Sequence, residues 1–466
     1  MTGIAMPCTR SKVGVVFLGA AAAGALSLQG CSADSSPVGL GSADGGLGET
    51  PAASDASTPG ATVASLGDRT RLGWSIAIPP QEVARRLSQF LLQRPPSAAL
   101  TAAIVAAAPA TNQDVGELTD GLLLDESSLA GRRAFYSWWL ELDFFAPFYP
   151  DSEPPRDPVL FPLFTPDVRE ALVDQTVAFI EDITWRPNGD LATLLTEPAA
   201  FVTTATAPWF PGVEVPAGNT ATRMVLDPGR YAGIVTQPPV VAAGDFAART
   251  SPIYRGGQVL DHYLCQSVPP PPVGEPHLVP DPAHGITIRQ SVEAYGSSPG
   301  CALCHQFLDP PGFAFGHFDA VGAYHDTEGG LPVDTTGVLT SVVGTTGFSF
   351  DNSTGTWSAA PPTPGSGGAA GAISFSFDGP PSLASQLAAL PEVKTCFADQ
   401  WLTFAIGTYS APDSYTLPYD VMAAADGGHS LAADADYVVQ RATIQGRLNL
   451  RGTIRAVTET HAFLDP

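Results

Sequence analysis

The sequence predicts a mainly α fold: multi-helical domains with one small antiparallel β element at about 335–378. Three observations carry this. Apolar residues recur at helical spacing, as in Val83, Leu87, Phe90 and Leu91. Hydroxyl or carboxylate residues stand where helices would begin, as in Thr165-Pro166-Asp167 and Ser251-Pro252. The clearest period-two alternation is the short run Ile373-Ser374-Phe375-Ser376-Phe377.

Composition narrows the function classes. The chain has 466 residues, 44% hydrophobic and 15% charged, which is material for two or three domains with buried cores. With 47 Gly and 45 Pro, long irregular connections are expected. Acidic residues outnumber basic ones 46 to 22, and a net charge of −24 repels nucleic acid, so no nucleic-acid partner is expected.

Taken in order, residues 1–30 read as a lipoprotein signal peptide. Arg10 and Lys12 precede an apolar run from Val13 to Leu28, and Leu28-Gln29-Gly30-Cys31 resembles a bacterial lipobox that would leave Cys31 lipidated. A plain secretory signal cut near Gly30 is the alternative, and either one places the chain in an oxidising compartment. Residues 31–71, rich in Gly, Ala, Ser and Asp, read as a flexible tether. An N-terminal helical domain is expected over 72–240, with helices near Val83–Leu92, Ser128–Phe144, Thr165–Ile183 and Asp190–Leu195. In the second of these, Phe135, Trp138, Trp139 and Leu142 supply one broad face, and the adjacent tryptophans read as core anchors.

A central module over 241–345 begins with a helix capped by Ser251 and running to Leu264. Polyproline follows at Pro269–Pro272, then a helix at about Thr287–Tyr295. A β/loop insertion occupies 346–380, where Ile373–Phe377 would pair with a strand in Val338–Phe350. A C-terminal helical domain, 381–466, holds helices near Ser382–Leu390, Val393–Ile406, Pro418–Ala424 and Asp436–Leu448.

The chemistry concentrates at Cys301-Ala302-Leu303-Cys304-His305. Two thiols three positions apart, with a histidine directly after them, are what covalent attachment of a c-type haem needs: the thiols add to two vinyl groups and the imidazole ligates iron. Cys301, Cys304 and His305 are therefore the candidate cofactor residues, and His305 the candidate iron ligand. For the distal side, Met422 is the preferred thioether, with Met224, His262, His317, His325 and His429 as alternatives.

Competing readings of the same cluster are a zinc or iron site completed by Cys265, Cys396, His317 or His325, a thioredoxin-like pair, and a disulfide that only shapes the loop. The redox pair is disfavoured because Asp309-Pro310-Pro311-Gly312 argues for a loop after the motif.

The remaining cysteines follow by arithmetic. With Cys8 removed in the signal, Cys31 lipidated, and Cys301 and Cys304 on haem, Cys265 and Cys396 are left to form a disulfide. Gly296-Ser297-Ser298-Pro299-Gly300 imitates a nucleophile elbow, but Pro299 lacks the N–H an oxyanion hole requires. Asp326, Glu328 and Asp334 could gather calcium, though their spacing does not fit an EF-hand and a solvated acidic loop suits them better.

Read together, Thr250-Ser251-Pro252-Ile253-Tyr254-Arg255-Gly256, Cys265-Gln266-Ser267-Val268-Pro269, the Cys301–His305 motif, Asp309-Pro310-Pro311-Gly312-Phe313, Phe318-Asp319-Ala320-Val321-Gly322 and Gly329-Gly330-Leu331-Pro332-Val333-Asp334 follow one order. In that order the chain resembles a secreted multi-domain family of planctomycetes and myxobacteria, built from consecutive domains of unknown function. The resemblance runs from about Pro79 to Leu450 and implies architecture and compartment more than activity. The chain departs from it at Leu308, where members often carry Met, at Gly316-His317, where they often carry Asn, and near Tyr324-His325, where they often carry a basic residue, so a ligand role for His317 or His325 would be private to this chain.

The expectation is a lipoprotein of the bacterial cell envelope, at the outer membrane, anchored through Cys31 and passing electrons through one haem c to a redox partner protein. Its rivals are a non-haem surface structural or binding protein with the motif as a disulfide or metal staple, and a haem peroxidase or oxygenase.

Overall fold

In a computed structural model, residues 73–145, 156–215, 218, 220–266, 285–297, 301–340, 348–351, 356–359, 373–407 and 431–464 are described, all within the unit Gly48–Pro466. Cys31, the signal, the tether, Pro269–Pro272, Pro418–Ala424, Met422 and His429 lie outside the described residues.

Several helices start where a side chain accepts from a free N–H group, and others open on proline. Helix α1 (Pro80–Leu92) opens on proline at its first position. Ser97 caps α2 (Ala98–Ala107), and Thr111 with Asp114 forms a capping box on α3 (Asn112–Leu123). Helix α4 (Leu129–Trp139) follows, and then Thr165 caps α5 (Pro166–Thr184) and Asp190 caps α6 (Leu191–Thr196). The expected helix from Ser128 to Phe144 ends early, because Glu141 takes left-handed backbone (φ 53°) and only a 3₁₀ turn, Leu142–Phe144, comes after it.

After α6 comes a hairpin, β1 (Ala199–Val202) with β2 (Thr222–Val225), in which Ala199 faces Val225 and Val202 faces Thr222. A short α7 (Pro238–Val241) leads to α8 (Pro252–Gln258), capped by Ser251 and continued by a π turn, Val259–Tyr263. Helices α9 (Ile288–Gly296), with a Thr287–Gln290 capping box, and α10 (Ala302–Phe313) complete the centre.

A two-residue ladder joins β3 (Thr327–Glu328) to β4 (Leu331–Pro332). The sheet expected after it is present with a different partner range. Strand β5 (Thr336–Thr340) pairs antiparallel with the alternating strand β8 (Ser374–Asp378), Gly337 facing Phe377, whereas β6 (Phe348–Asp351) pairs with β7 (Thr356–Ala359). The Phe377 ring lies over Gly337 where a side chain would collide, which fixes that register.

Helices α11 (Gly379–Ala389), α12 (Pro391–Ile406) and α13 (Leu431–Ala442) follow. A hairpin of β9 (Thr443–Ile444) and β10 (Arg447–Leu448) then interrupts the helix expected to reach Leu448, before α14 (Leu450–Thr458) and α15 (His461–Leu464). The fold is mainly α with small antiparallel pairs. Among the described residues no helix is long and apolar enough to cross a membrane.

One cluster of buried apolar side chains runs from Val83 to Leu464. Its centre is aromatic: Trp401 of α12 stacks on Phe135 of α4 at 3.5 Å, and Phe90 of α1 meets Trp401 edge-on. Of the adjacent tryptophans, Trp139 is the buried anchor, and its Nε1 donates to the His262 carbonyl at 2.9 Å. A second, smaller cluster of Ile288, Val292 and Phe313, with Ile253 and Tyr295 against it, joins α8, α9 and α10.

Candidate functional site: the Cys301 helix

Helix α10 carries the motif, and its course corrects the sequence reading. The stretch Asp309-Pro310-Pro311-Gly312 is helical, not a loop, with both prolines inside the helix. Proline there removes two intrahelical donors, so local propensity alone would end the helix. Packing overrides it. Gly256 of α8 lies against the Leu308 carbonyl and Gly312 of α10 against the Pro252 carbonyl, and a Cβ at either position would run into that oxygen. The two backbones thus meet directly, which explains why a glycine follows Tyr254-Arg255 and another ends the Pro-Pro pair.

Beyond α10, the chain is held by Arg255. Its guanidinium is buried and pairs with buried Asp245 at 2.5 Å. It also donates to the carbonyls of Phe315 (2.7 Å), Phe318 (2.9 Å) and Asp319 (2.9 Å). Asp319 closes the following turn by accepting from the N–H groups of Val321 and Ala323. The Tyr-Arg-Gly and Phe-Asp-Ala segments are therefore two halves of one buried clasp.

Cys301 stands at the N-cap of α10, and its carbonyl accepts from the N–H groups of Cys304 and His305, each at 3.1 Å. Positions 301, 304 and 305 are related by helical steps of three and four, so both thiols and the imidazole share one face. The two thiols are half-buried and not bonded to each other. Burial pushes the Cys304 thiol up, and the Cys301 thiol adds to the effect.

His305 lies with its Nδ1 2.9 Å from Oδ1 of Asp309, one turn further along. Asp309 is only 6% exposed; burial pushes its carboxyl up, and the hydrogen bond with His305 opposes that. Tyr295 of α9 meets the His305 ring edge-on at 5.4 Å. Among the described residues, Nε2 of His305 makes no hydrogen bond.

Cys265 and Cys396 form a disulfide, as the cysteine count predicts, tying the end of the π turn to α12. Engaged in that bond, they are not available as the extra ligands of a zinc site, and among the described residues no group of three or more His, Cys, Asp or Glu side chains is arranged to hold a metal ion.

The described distal candidates have other engagements. Met224 sits in β2 opposite Ala200. Nδ1 of His317 lies 2.8 Å from the His325 carbonyl, and its ring stacks on Tyr324. Burial holds the His325 imidazole below the usual range, with Arg255 and His317 adding to this. His262 is buried with Nε2 3.9 Å from Glu141, and burial lowers it too. The three acidic residues considered for calcium separate: Asp326 reaches Arg230, Glu328 accepts from the Ile288 N–H, and Asp334 accepts from the Thr336 N–H.

Sequence reasoning missed two features. Asp309 as the partner of His305 is an i, i+4 pair that the following prolines disguised. The half-buried group in which Glu141 accepts from Tyr254 and Gln258 beside buried His262 includes left-handed backbone at Glu141, for which the sequence offers no signal.

Two family models match in tandem. PSD4, described as Protein of unknown function (DUF1592), matches residues 78–211, and PSCyt3, described as Protein of unknown function (DUF1588), matches residues 231–328. The first spans α1 to the middle of the β1–β2 connection. The second contains the Arg255 clasp, the α8–α10 contact and the Cys301–His305 motif. This is the consecutive arrangement of domains of unknown function that the motif order predicts. No curated protein and no solved structure matches.

Proposed function

We propose that the chain is an exported member of the planctomycete and myxobacterial secreted family, that it carries one covalent haem c at Cys301 and Cys304 with His305 as axial ligand, and that it transfers electrons in the cell envelope. The observation that carries this reading is the common face of α10. It presents two unbonded thiols and an imidazole whose Nδ1 is already engaged by Asp309, so Nε2 is the nitrogen left for a metal. Attachment needs no oxidant, since each thiol adds its S–H across a vinyl double bond. Bound haem would supply a one-electron couple; Cys301 and Cys304 would anchor it and His305 would ligate its iron. The name PSCyt3 of the family model over 231–328 agrees with this reading.

Membrane attachment would come through lipid on Cys31, and the Cys265–Cys396 bond suits an oxidising compartment. The redox partner would be a protein of the same envelope. A pyridine haemochrome spectrum of protein made with a cytochrome c maturation system tests the proposal, and a Cys301→Ser/Cys304→Ser double variant should lose the signal.

One observation favours a second reading, a dithiol/disulfide redox pair: Cys301 sits at a helix N-terminus with Cys304 three residues on. What such a pair does not use is the imidazole directly after Cys304, held through Nδ1 by Asp309, which the haem reading does use.

A further inference from the structure

Resting on the haem reading, a second assignment concerns how the axial base is tuned. We propose that Asp309 is the positioning residue of His305: its carboxylate accepts a hydrogen bond from Nδ1–H, fixes the tautomer with Nε2 unprotonated, and makes that nitrogen a stronger donor, so that a haem on α10 would work at a lower reduction potential than a neutral partner would allow.

Several independent features hold this pair in place. The Nδ1–Oδ1 distance is 2.9 Å. Gly296, at the end of α9, leaves the space the pair occupies: a Cβ there would come to 2.9 Å from the other carboxylate oxygen of Asp309 and 3.0 Å from the His305 Cβ. Tyr295, the residue before it, sets its ring edge-on to the imidazole and restricts rotation about χ2. Asp309 is in helical backbone immediately before Pro310, a position where a helical residue is sterically disfavoured, and it stays there because α8 clamps the helix at Leu308 and Gly312.

A carboxylate one turn along the same helix cannot drift from its histidine as a loop residue could. Hydrogen bonding of a ligand imidazole to a carboxylate raises its basicity, and the partner's identity is one of the levers by which a protein sets a haem potential.

The test uses the full chain matured with haem, as wild type, Asp309→Asn and Asp309→Leu. The potential should rise in the order wild type, Asn, Leu, because Asn keeps an acceptor without the charge and Leu keeps neither. In parallel, ¹⁵N-histidine NMR on unloaded protein should show His305 protonated at Nδ1 in wild type and shifted toward Nε2 protonation in Asp309→Leu. Thermal melts check that each variant folds; if the Leu form does not, the Asn form carries the comparison. Covalent haem with equal potentials in wild type and Asp309→Asn would overturn the inference and leave the haem reading standing. Absence of haem from wild type would overturn the haem reading and the tuning with it, while an unchanged tautomer in the unloaded variants would overturn the positioning itself.

Discussion

Gly256 lies against the carbonyl of Leu308, with no space between them for even a methyl group. Because Gly312 makes the reciprocal contact on Pro252, α8 and α10 meet backbone to backbone, and this contact holds a helix with two internal prolines that carries Cys301, Cys304, His305 and Asp309 on adjoining turns.

Gly256→Ala should therefore destabilise the protein by more than the about 1–3 kcal/mol typical of overpacking, because the obstacle is backbone that cannot rotate away. Gly257→Ala is the control, since its nearest neighbour is the flexible Leu308 side chain at 3.6 Å. Chemical denaturation of the two variants should separate them clearly; equal losses would remove the contact from the account.

The Arg255 clasp predicts a second large effect. Replacing Arg255 with Met leaves Asp245, fully buried, without its partner in the ion pair and takes one donor from each of the Phe315, Phe318 and Asp319 carbonyls. Removing one partner of a buried pair costs about 3–5 kcal/mol. The motif segment should become protease-sensitive in this variant, and a loss below 1 kcal/mol would mean the clasp is dispensable.

These two features also mark what the sequence could and could not reveal. Helix starts at Thr165, Asp190, Ser251 and Thr287 were legible because capping is local chemistry, and each of these side chains accepts the backbone N–H expected of a cap. Helix α2 was not legible: it is largely alanine, only Ile104 is buried, and no stripe distinguishes it. Helix α3 is marked in the sequence by Thr111 and Asp114, which form its capping box. For α10 the local signal pointed the wrong way, and the deciding fact, two glycines facing carbonyls on another helix, is a tertiary relationship. Of the site, the three motif residues and the Cys265–Cys396 pair were legible, and Asp309 was not.

The disulfide closes a separation of 131 residues. On the chain-entropy estimate such a loop is worth about 5 kcal/mol. Cys265→Ser/Cys396→Ser should lower the denaturation midpoint accordingly, and wild-type protein without haem should present Cys301 and Cys304, but not Cys265 or Cys396, to a thiol reagent before unfolding.

Two carboxyl groups predict the pH dependence. Burial, with Glu141 nearby, pushes Asp261 up to about 7, and burial beside Asp436 pushes Asp399 up to about 8. Each is protonated when folded and ionised when unfolded between about pH 4 and those values, so folding takes up protons and stability falls as pH rises through that window. Asp261→Asn and Asp399→Asn should flatten this fall and be more stable than wild type at pH 8.5 in thermal melts. His262, which burial holds neutral, acts oppositely and removes stability as pH drops below about 6.5. A wild-type melting temperature that climbs steadily from pH 5 to pH 8.5 would contradict the assignment of both carboxyls.

The most direct test of the central claim is the intact mass of the protein after production with cytochrome c maturation, read under denaturing conditions that release any non-covalent group. Wild type should be heavier by one haem, the added mass mapping to a peptide containing Cys301 and Cys304, with no addition in Cys301→Ser/Cys304→Ser. Folded wild-type protein at the bare polypeptide mass, with both thiols free to react, would contradict it.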